Sequence, residues 1–178
     1  MSFYTEYWDL MNARIREVDE AHLDQICDWM RTSVAAGGKV IVVGNGGSAA
    51  MASHTTVDLT KNAGIRAINF NEADLLTCFA NDYGYENWVS EALGFYADKQ
   101  DTLVLISSSG KSPNILNGAD KGKAMGLKVA TLSGFAEDNP LRSKGDINLY
   151  CASGAYNIVE MTHHIWLLAI VDRLIGKI

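Results

Sequence analysis

The spacing of hydrophobic positions changes after the first 36 residues of this chain. From Phe3 to about Ala36, apolar residues recur every three or four positions, while Asp, Glu and Arg fill many of the positions between them. This spacing is typical of amphipathic helices, and Gly37 and Gly38 provide a stop signal. Two N-terminal helices are therefore predicted within residues 1–38.

From residue 39 onwards, short apolar runs alternate with segments of helical spacing. The runs predicted as strands are KVIVV at 39–43, RAINF at 66–70, TLVLIS at 102–107, KVATLS at 128–133 and DINLYC at 146–151. One predicted helix begins at Ser48, one or two lie between Glu72 and Lys99, and another spans Pro113 to Met125. A short helical turn is predicted near 139–143, and a final helix begins at about Tyr156.

Runs of Val, Ile and Leu are typical of strands buried on both faces, and intervening helices supply the crossovers that parallel strands need. The predicted fold is α/β, a doubly wound sandwich with a five-stranded parallel sheet over residues 39–178. Together with the two N-terminal helices, it forms a single domain over residues 1–178.

Composition and charge exclude several classes of protein. A chain of 178 residues with 48% hydrophobic and 20% charged residues suits one globular domain. The formal charge of −6 provides no basic surface for nucleic acid or an anionic membrane. No apolar run is long enough to cross a bilayer and no signal peptide is evident, so a cytoplasmic protein is expected. Cys27, Cys78 and Cys151 form no Cys-x-x-Cys pair and are predicted to be buried thiols.

The first predicted strand is followed by the loop GNGGS, from Gly44 to Ser48. Glycines permit a sharp turn that directs backbone amides outwards, and Ser48 is predicted to cap the next helix. Such a helix N-terminus favours phosphate through its unpaired amides and the helix dipole. A plain strand-to-helix turn explains the same residues, and neither a P-loop nor a dinucleotide fingerprint is present. Both interpretations stay open for this loop alone.

The third predicted strand is followed by SSSGKSPN, from Ser107 to Asn114. Pro113 suits the first turn of a helix. Ligands of such sheets bind beyond the carboxyl ends of the strands, where the strand order reverses, so the loops after strands one and three are expected to converge. Hydroxyls and amides can surround a phosphate without arginine. The pair of loops therefore favours phosphate binding over a solvated turn, and Lys111 is expected to face solvent.

These two loops resemble those of the SIS, or sugar isomerase, domain, whose fold is flavodoxin-like. The resemblance is narrower still to the phosphoheptose (sedoheptulose-7-phosphate) isomerase family. GNGGSAAMASH, ANDYGYEN at 80–87, ISSSGKSPN and GLKVATLSG at 126–134 follow the family's order and spacing. The phosphate or substrate site that the loops and the resemblance imply comprises Asn45, Gly46, Gly47, Ser48, Asp82, Ser107, Ser108, Ser109 and Ser112. Among these, Asn45 and Asp82 are expected to contact the sugar.

The resemblance implies an aldose–ketose isomerase that converts sedoheptulose 7-phosphate to a heptose 7-phosphate through an enediol, for lipopolysaccharide or capsule synthesis. It also implies a homotetramer centred on the helices of residues 1–38, with active sites between subunits. Enediol chemistry needs a base beside the carbonyl, an acid for oxygen, and a group that polarises that oxygen. The alternative is a non-catalytic SIS protein, either a sugar-phosphate sensor or a scaffold that binds a replication initiator. A dinucleotide enzyme is disfavoured because its fingerprint is missing.

The resemblance further implies zinc as a cofactor. Family members bind it through a His and a Glu, four residues apart on the first helix of the sandwich, and a Gln and a His on the last helix. His54 matches the first ligand, and Asp58 keeps a carboxylate at the second. Val159 and Leu167 stand at the other two positions, so half of the ligand set is missing.

Helical geometry offers His163 as a substitute. At about 100° per residue, His163 lies between the two missing ligand positions and one turn from each. We predict that Asp58 and His163 transfer protons, and that His54, Asp58 and His163 hold zinc where it binds. The alternative is that His163 and His164 pair with carboxylates or pack at an interface.

Overall fold

A computed structural model of the chain describes residues 1–177, and Ile178, the last residue of the predicted domain, lies outside them. The helices are α1 (Phe3–Arg16), α2 (Glu20–Ala35), α3 (Gly47–Lys61), α4 (Ala73–Tyr83), α5 (Trp88–Tyr96), α6 (Pro113–Ala124) and α7 (Tyr156–Ile175). The strands are β1 (Val40–Gly44), β2 (Ala67–Ile68), β3 (Thr102–Ser107), β4 (Lys128–Gly134) and β5 (Ile147–Cys151), with a 3-10 turn at Pro140–Ser143.

The strands form one parallel sheet in the order β2-β1-β3-β4-β5. The predicted α/β fold with five parallel strands and two N-terminal helices is confirmed. Strand β2 is shorter than predicted, with two residues in place of RAINF. It lies at the sheet edge and pairs with β1 only at Val40 and Ile41, so its flanking residues have no second neighbour to hold them extended.

Helices cover both faces of the sheet, which explains the unbroken apolar runs. Along β1, Val40 and Val42 pack into a core with α2, α3 and α7. The alternate residues Ile41 and Val43 pack into a second core with α5 and α6. Successive side chains of a strand point to opposite faces, so a strand buried on both faces needs apolar residues at every position.

Strands β1 and β3 are neighbours, and Gly44 pairs with Ile106 at their carboxyl ends. The helices that follow them, α3 and α6, belong to the two opposite cores. The strand order therefore reverses here, and the β1–α3 and β3–α6 loops lie beside each other at one edge of the sheet, as predicted.

The first helix, α1, packs on α7, where the indole nitrogen of Trp166 donates to the Ile15 carbonyl at 2.9 Å. No residue of α1 is fully buried, and Phe3, Tyr4 and Trp8 expose more than half of their surface. Within residues 1–177, no helix has the length and apolar character needed to cross a membrane.

Cys27 and Cys151 are buried as predicted, and neither forms a disulfide. The prediction was wrong for Cys78, which is exposed. It lies on α4, an amphipathic surface helix that buries no residue completely, so a cysteine on its outer side stays accessible.

Candidate active site

The β1–α3 loop turns at Gly46, whose φ of 54° lies in the region that glycine adopts without strain. This turn makes Gly46 the N-cap of α3, and it provides no side-chain cap. The prediction that Ser48 caps the helix was wrong, because the helix already begins at Gly47. Ser48 lies inside the first turn, buried against Gly44, while Gly46 and Gly47 remain exposed. The loop offers an open, glycine-lined helix N-terminus.

The β3–α6 loop brings the predicted serines together. The Ser107 hydroxyl donates to that of Ser112 at 3.0 Å, and the Ser109 hydroxyl accepts from the Lys111 amide. The Ser108 hydroxyl is buried and makes no hydrogen bond to any of residues 1–177. Leaving a buried hydroxyl unpaired is costly, and a bound ligand would supply the missing partner. Lys111 is exposed, as expected.

Two asparagines join the loops. Asn45 and Asn114 exchange a pair of amide hydrogen bonds, both of 2.9 Å, and Asn114 is buried. The Tyr85 hydroxyl also donates to the Asn45 carbonyl oxygen at 3.2 Å. With that oxygen accepting twice, Asn45 retains one free N–H for a ligand. The sequence prediction missed Asn114 and Tyr85, although Tyr85 lies within the ANDYGYEN segment and Asn114 ends SSSGKSPN.

Asp82 lies in the last turn of α4 and is exposed. Its carboxylate accepts from the side chains of Asn81 and Cys78, both in the same helix. The structure therefore does not bring Asp82 onto the loop residues, and its predicted sugar contact stays a prediction.

His163 lies on the inner face of α7 and is fully buried. Its Nε2 lies 3.1 Å from the Ser133 carbonyl oxygen at the end of β4. Burial lowers the pKa of His163 to about 4, with the hydrogen bond to Ser133 opposing that shift. The predicted orientation was wrong, because Val159 and Leu167 are themselves core residues, and the direction between them points into the sandwich.

The neighbouring residue, His164, reaches α3 instead. Its Nε2 lies 3.0 Å from Nδ1 of His54, and Nε2 of His54 lies 3.3 Å from a carboxylate oxygen of Asp58. The other oxygen of Asp58 accepts from the Asn62 amide at 3.1 Å. Partial burial, and then the neighbouring His54, lowers the pKa of His164, which Asp58 opposes. We call Asp58, His54 and His164 the histidine row, and it is open to solvent at His54.

A second carboxylate lies at the start of the same two helices. Glu160 is half-buried on α7, and a side chain at position 47 would collide with both of its carboxylate oxygens. Glycine at position 47 therefore allows close approach of Glu160 to the β1–α3 loop. Glu160 also stands one helical turn before His164 on α7.

The residues at the implied metal position do not fit a zinc site in this chain. Both ring nitrogens of His54 already lie within contact distance of His164 or Asp58, and His163 is directed into the core. Val159 and Leu167 are apolar and buried. Among residues 1–177, no three His, Cys, Asp or Glu side chains are grouped so as to hold a metal ion. The structure therefore brings His54 and Asp58 together as predicted but not His163, so the predicted set of three is not formed.

Residues 3–134 match the model of the SIS domain family. A phosphoheptose isomerase of Sodalis glossinidius is 34% identical over 167 residues, covering 89% of this chain and 86% of the relative. One of Serratia proteamaculans is 31% identical over 188 residues, covering 96% and 97%. The solved structure of a phosphoheptose isomerase from Francisella tularensis superposes with a TM-score of 0.88 at 24% identity, covering 98% of this chain and 95% of that one. The superposition extends the likeness in fold to nearly the whole chain.

Proposed function

The chain belongs to the SIS-domain proteins of the phosphoheptose isomerase family, and we propose that it interconverts sedoheptulose 7-phosphate and an aldose heptose 7-phosphate. The reaction moves a carbonyl between C2 and C1 through an enediol. The observation that carries this proposal is that the serine-rich β3–α6 loop is joined to the loop that begins α3, the helix that carries His54 and Asp58 of the histidine row.

The spacing of these two features suits such a substrate. His54 lies seven residues after Gly47, where the loop meets α3. At a rise of about 1.5 Å per residue, this places it roughly 10 Å from the loop. That distance is comparable with an extended seven-carbon chain carrying a terminal phosphate. A phosphate held by the serines of the neighbouring β3–α6 loop therefore leaves the rest of the sugar along α3, between Gly47 and the row.

The serines of the β3–α6 loop supply the phosphate contacts in this proposal. Ser108 offers an unpaired buried hydroxyl, and Ser107, Ser109 and Ser112 of the same loop offer further hydroxyls. Asn45 contributes its free N–H from the neighbouring loop. These are neutral donors, and together with the backbone amides of the turn they are suited to a phosphate group.

The histidine row supplies proton transfer to and from the substrate oxygens. A hydrogen bond connects His164 to His54, and Asp58 lies 3.3 Å from the other ring nitrogen of His54, where it stabilises a protonated ring. In this proposal His164 takes the role first predicted for His163, and Asp58 orients His54. Zinc is not required, because a base and an oxyanion donor suffice for enediol chemistry.

A non-catalytic sensor or scaffold is less consistent with these residues. A protein that only binds a sugar phosphate needs the phosphate-binding loop. It does not need the contacting titratable side chains of the histidine row further along α3. The exposed aromatic face of α1, formed by Phe3, Tyr4 and Trp8, supports our further proposal of a homotetramer built on residues 1–38. The open side of the row at His54 supports active sites between subunits.

The test is to follow sedoheptulose 7-phosphate by NMR with the wild type, His164→Gln and the control His22→Gln. We expect His164→Gln to lower kcat about 100-fold or more while KM changes little, because it removes a proton-transfer group. His22→Gln should match the wild type. A wild type that binds the sugar phosphate but forms no aldose, with and without added zinc, would support the sensor alternative.

A further inference from the structure

The seam between α3 and α7 contains two carboxylates in different states. We define this α3–α7 seam by Gly47, His54 and Asp58 on α3 and by Glu160 and His164 on α7. The carboxylate of Asp58 is engaged, with one oxygen near His54 and the other accepting from Asn62. Glu160 makes no hydrogen bond or ion pair with any residue between 1 and 177. The seam therefore has one carboxylate that orients a neighbour and one that is available to a substrate.

The position of Glu160 separates it from ordinary surface carboxylates. It is half-buried and packs against the backbone of Gly47, at the N-terminus of α3. The partial positive charge at a helix N-terminus stabilises a carboxylate placed there. Glycine at position 47 leaves room for this carboxylate, since a Cβ there would collide with both of its oxygens. The carboxylate of Glu160 thus lies at the mouth of the β1–α3 loop.

This carboxylate also determines which loop takes the phosphate. A phosphate seated on the N-terminus of α3 would lie against a second negative group, and such like charges repel strongly when partly buried. The β3–α6 loop presents the hydroxyls of Ser107 and Ser108. The phosphate is therefore expected on the β3–α6 loop, and the carbon chain then extends past Gly47 along the seam.

We propose that Glu160 is the carbon base of the isomerase, a catalytic residue that transfers the proton between C1 and C2. This inference rests on the proposed function and deepens it. Glu160 removes a proton from C1 of the ketose, the C1–H electron pair forms the C1–C2 double bond, and the C2 carbonyl oxygen takes a proton from His164. The enediol then returns the O1 proton to His164 as the C1 carbonyl forms, and C2 regains a proton from Glu160. Protons and electrons balance, so no further reactant is needed.

The experiment measures turnover and exchange of the C1 hydrogen in deuterated water, for the wild type, Glu160→Gln, Glu160→Asp and the control Asp172→Asn. Glu160→Gln keeps the size of the side chain and removes its basicity. We expect kcat and the exchange rate to fall together by about 100- to 10,000-fold, with KM within a few-fold. Glu160→Asp should recover part of the rate, and Asp172→Asn, an exposed change on the same helix, should leave it unaltered.

The possible outcomes separate this inference from the proposed function. If the wild type converts the sugar but Glu160→Gln exchanges the C1 hydrogen at the same rate, Glu160 is not the base and the isomerase proposal stands. If Glu160→Gln loses affinity for sedoheptulose 7-phosphate in calorimetry while kcat is retained, its role is binding, which also overturns the inference. A wild type that neither exchanges nor converts the sugar overturns both proposals.

Discussion

The loops that follow β1 and β3 have similar compositions but different surroundings. Both are rich in Gly and Ser, both precede a helix, and they lie side by side at one edge of the sheet. The β1–α3 loop has the carboxylate of Glu160 packed against it. The β3–α6 loop instead contains the unpaired buried hydroxyl of Ser108. In our two proposals, similar loop sequences therefore serve different roles, reaction chemistry at one loop and phosphate binding at the other.

The topology explains this difference. Helix α3 enters the core shared with α7, whereas α6 enters the core shared with α5. The loop that begins α3 therefore receives a side chain from α7, that of Glu160. The Asn45–Asn114 pair joins the loops across the strand-order reversal, so the two loops are kept side by side.

The largest effect on substrate binding is expected from placing a carboxylate in the β3–α6 loop. Ser108→Asp should weaken binding of sedoheptulose 7-phosphate by at least about 100-fold, or roughly 3 kcal/mol, because the added charge faces the phosphate. Ser143→Asp is the matched control, since Ser143 is exposed on the 3-10 turn. Calorimetry measures both, after circular dichroism has confirmed the fold. Unchanged affinity in Ser108→Asp would place the phosphate elsewhere.

The adjacent histidines of α7 should respond in opposite ways to substitution. His163→Ala should lower the free energy of unfolding by about 2–4 kcal/mol, because it leaves a cavity and removes a buried hydrogen bond to Ser133. His164→Ala should cost less than about 1 kcal/mol, since the side chain is only partly buried. Urea unfolding measures both values. Equal losses would contradict the assignment of a packing role to one and a chemical role to the other.

The pH dependence of stability should also show that His163 is a buried, uncharged residue. Its pKa is about 4 in the folded protein, below the ordinary value of 6.5, because burial disfavours the charged ring. The unfolded chain therefore binds the proton first as pH falls. The contribution of His163 is complete above about pH 6.5 and is lost between there and pH 4, a change of roughly 3 kcal/mol. Urea unfolding at pH 7 and 4.5 should show this loss in the wild type and a smaller one in His163→Leu.

The fold could be predicted from the sequence because a strand buried on both faces is an unbroken run of apolar residues. TLVLIS at 102–107 coincides with β3, and the glycine- and serine-rich loops follow the strands that the topology places at the reversal. Apolar runs, glycines and Pro113 are local signals, so they identify strands, turns and helix starts without knowledge of tertiary contacts.

The site was harder to predict than the fold, because it depends on which side of α7 packs against the rest of the molecule. A helical wheel relates His163 to Val159 and Leu167 but does not say where the core lies. Val159 and Leu167 could have indicated that His163 is buried. Apolar residues four positions before and after a residue are typical of a helix face that packs into the core. His164, about 100° further round, therefore faces His54. The approach of Glu160 to Gly47 joins residues distant in sequence and has no local signature.

The smallest effect is expected at the connection between the loops. Tyr85→Phe removes one hydrogen bond to Asn45 but leaves the Asn45–Asn114 pair intact. We expect KM for the sugar phosphate to rise about 3- to 10-fold, consistent with the loss of roughly 1 kcal/mol from one exposed hydrogen bond, and kcat to stay nearly unchanged. Tyr83→Phe is the control, since its ring packs on Phe79 at the end of α4. A fall in kcat for Tyr85→Phe alone would instead mean that Asn45 acts on the reacting end of the sugar, which would move the boundary between the phosphate loop and the α3–α7 seam.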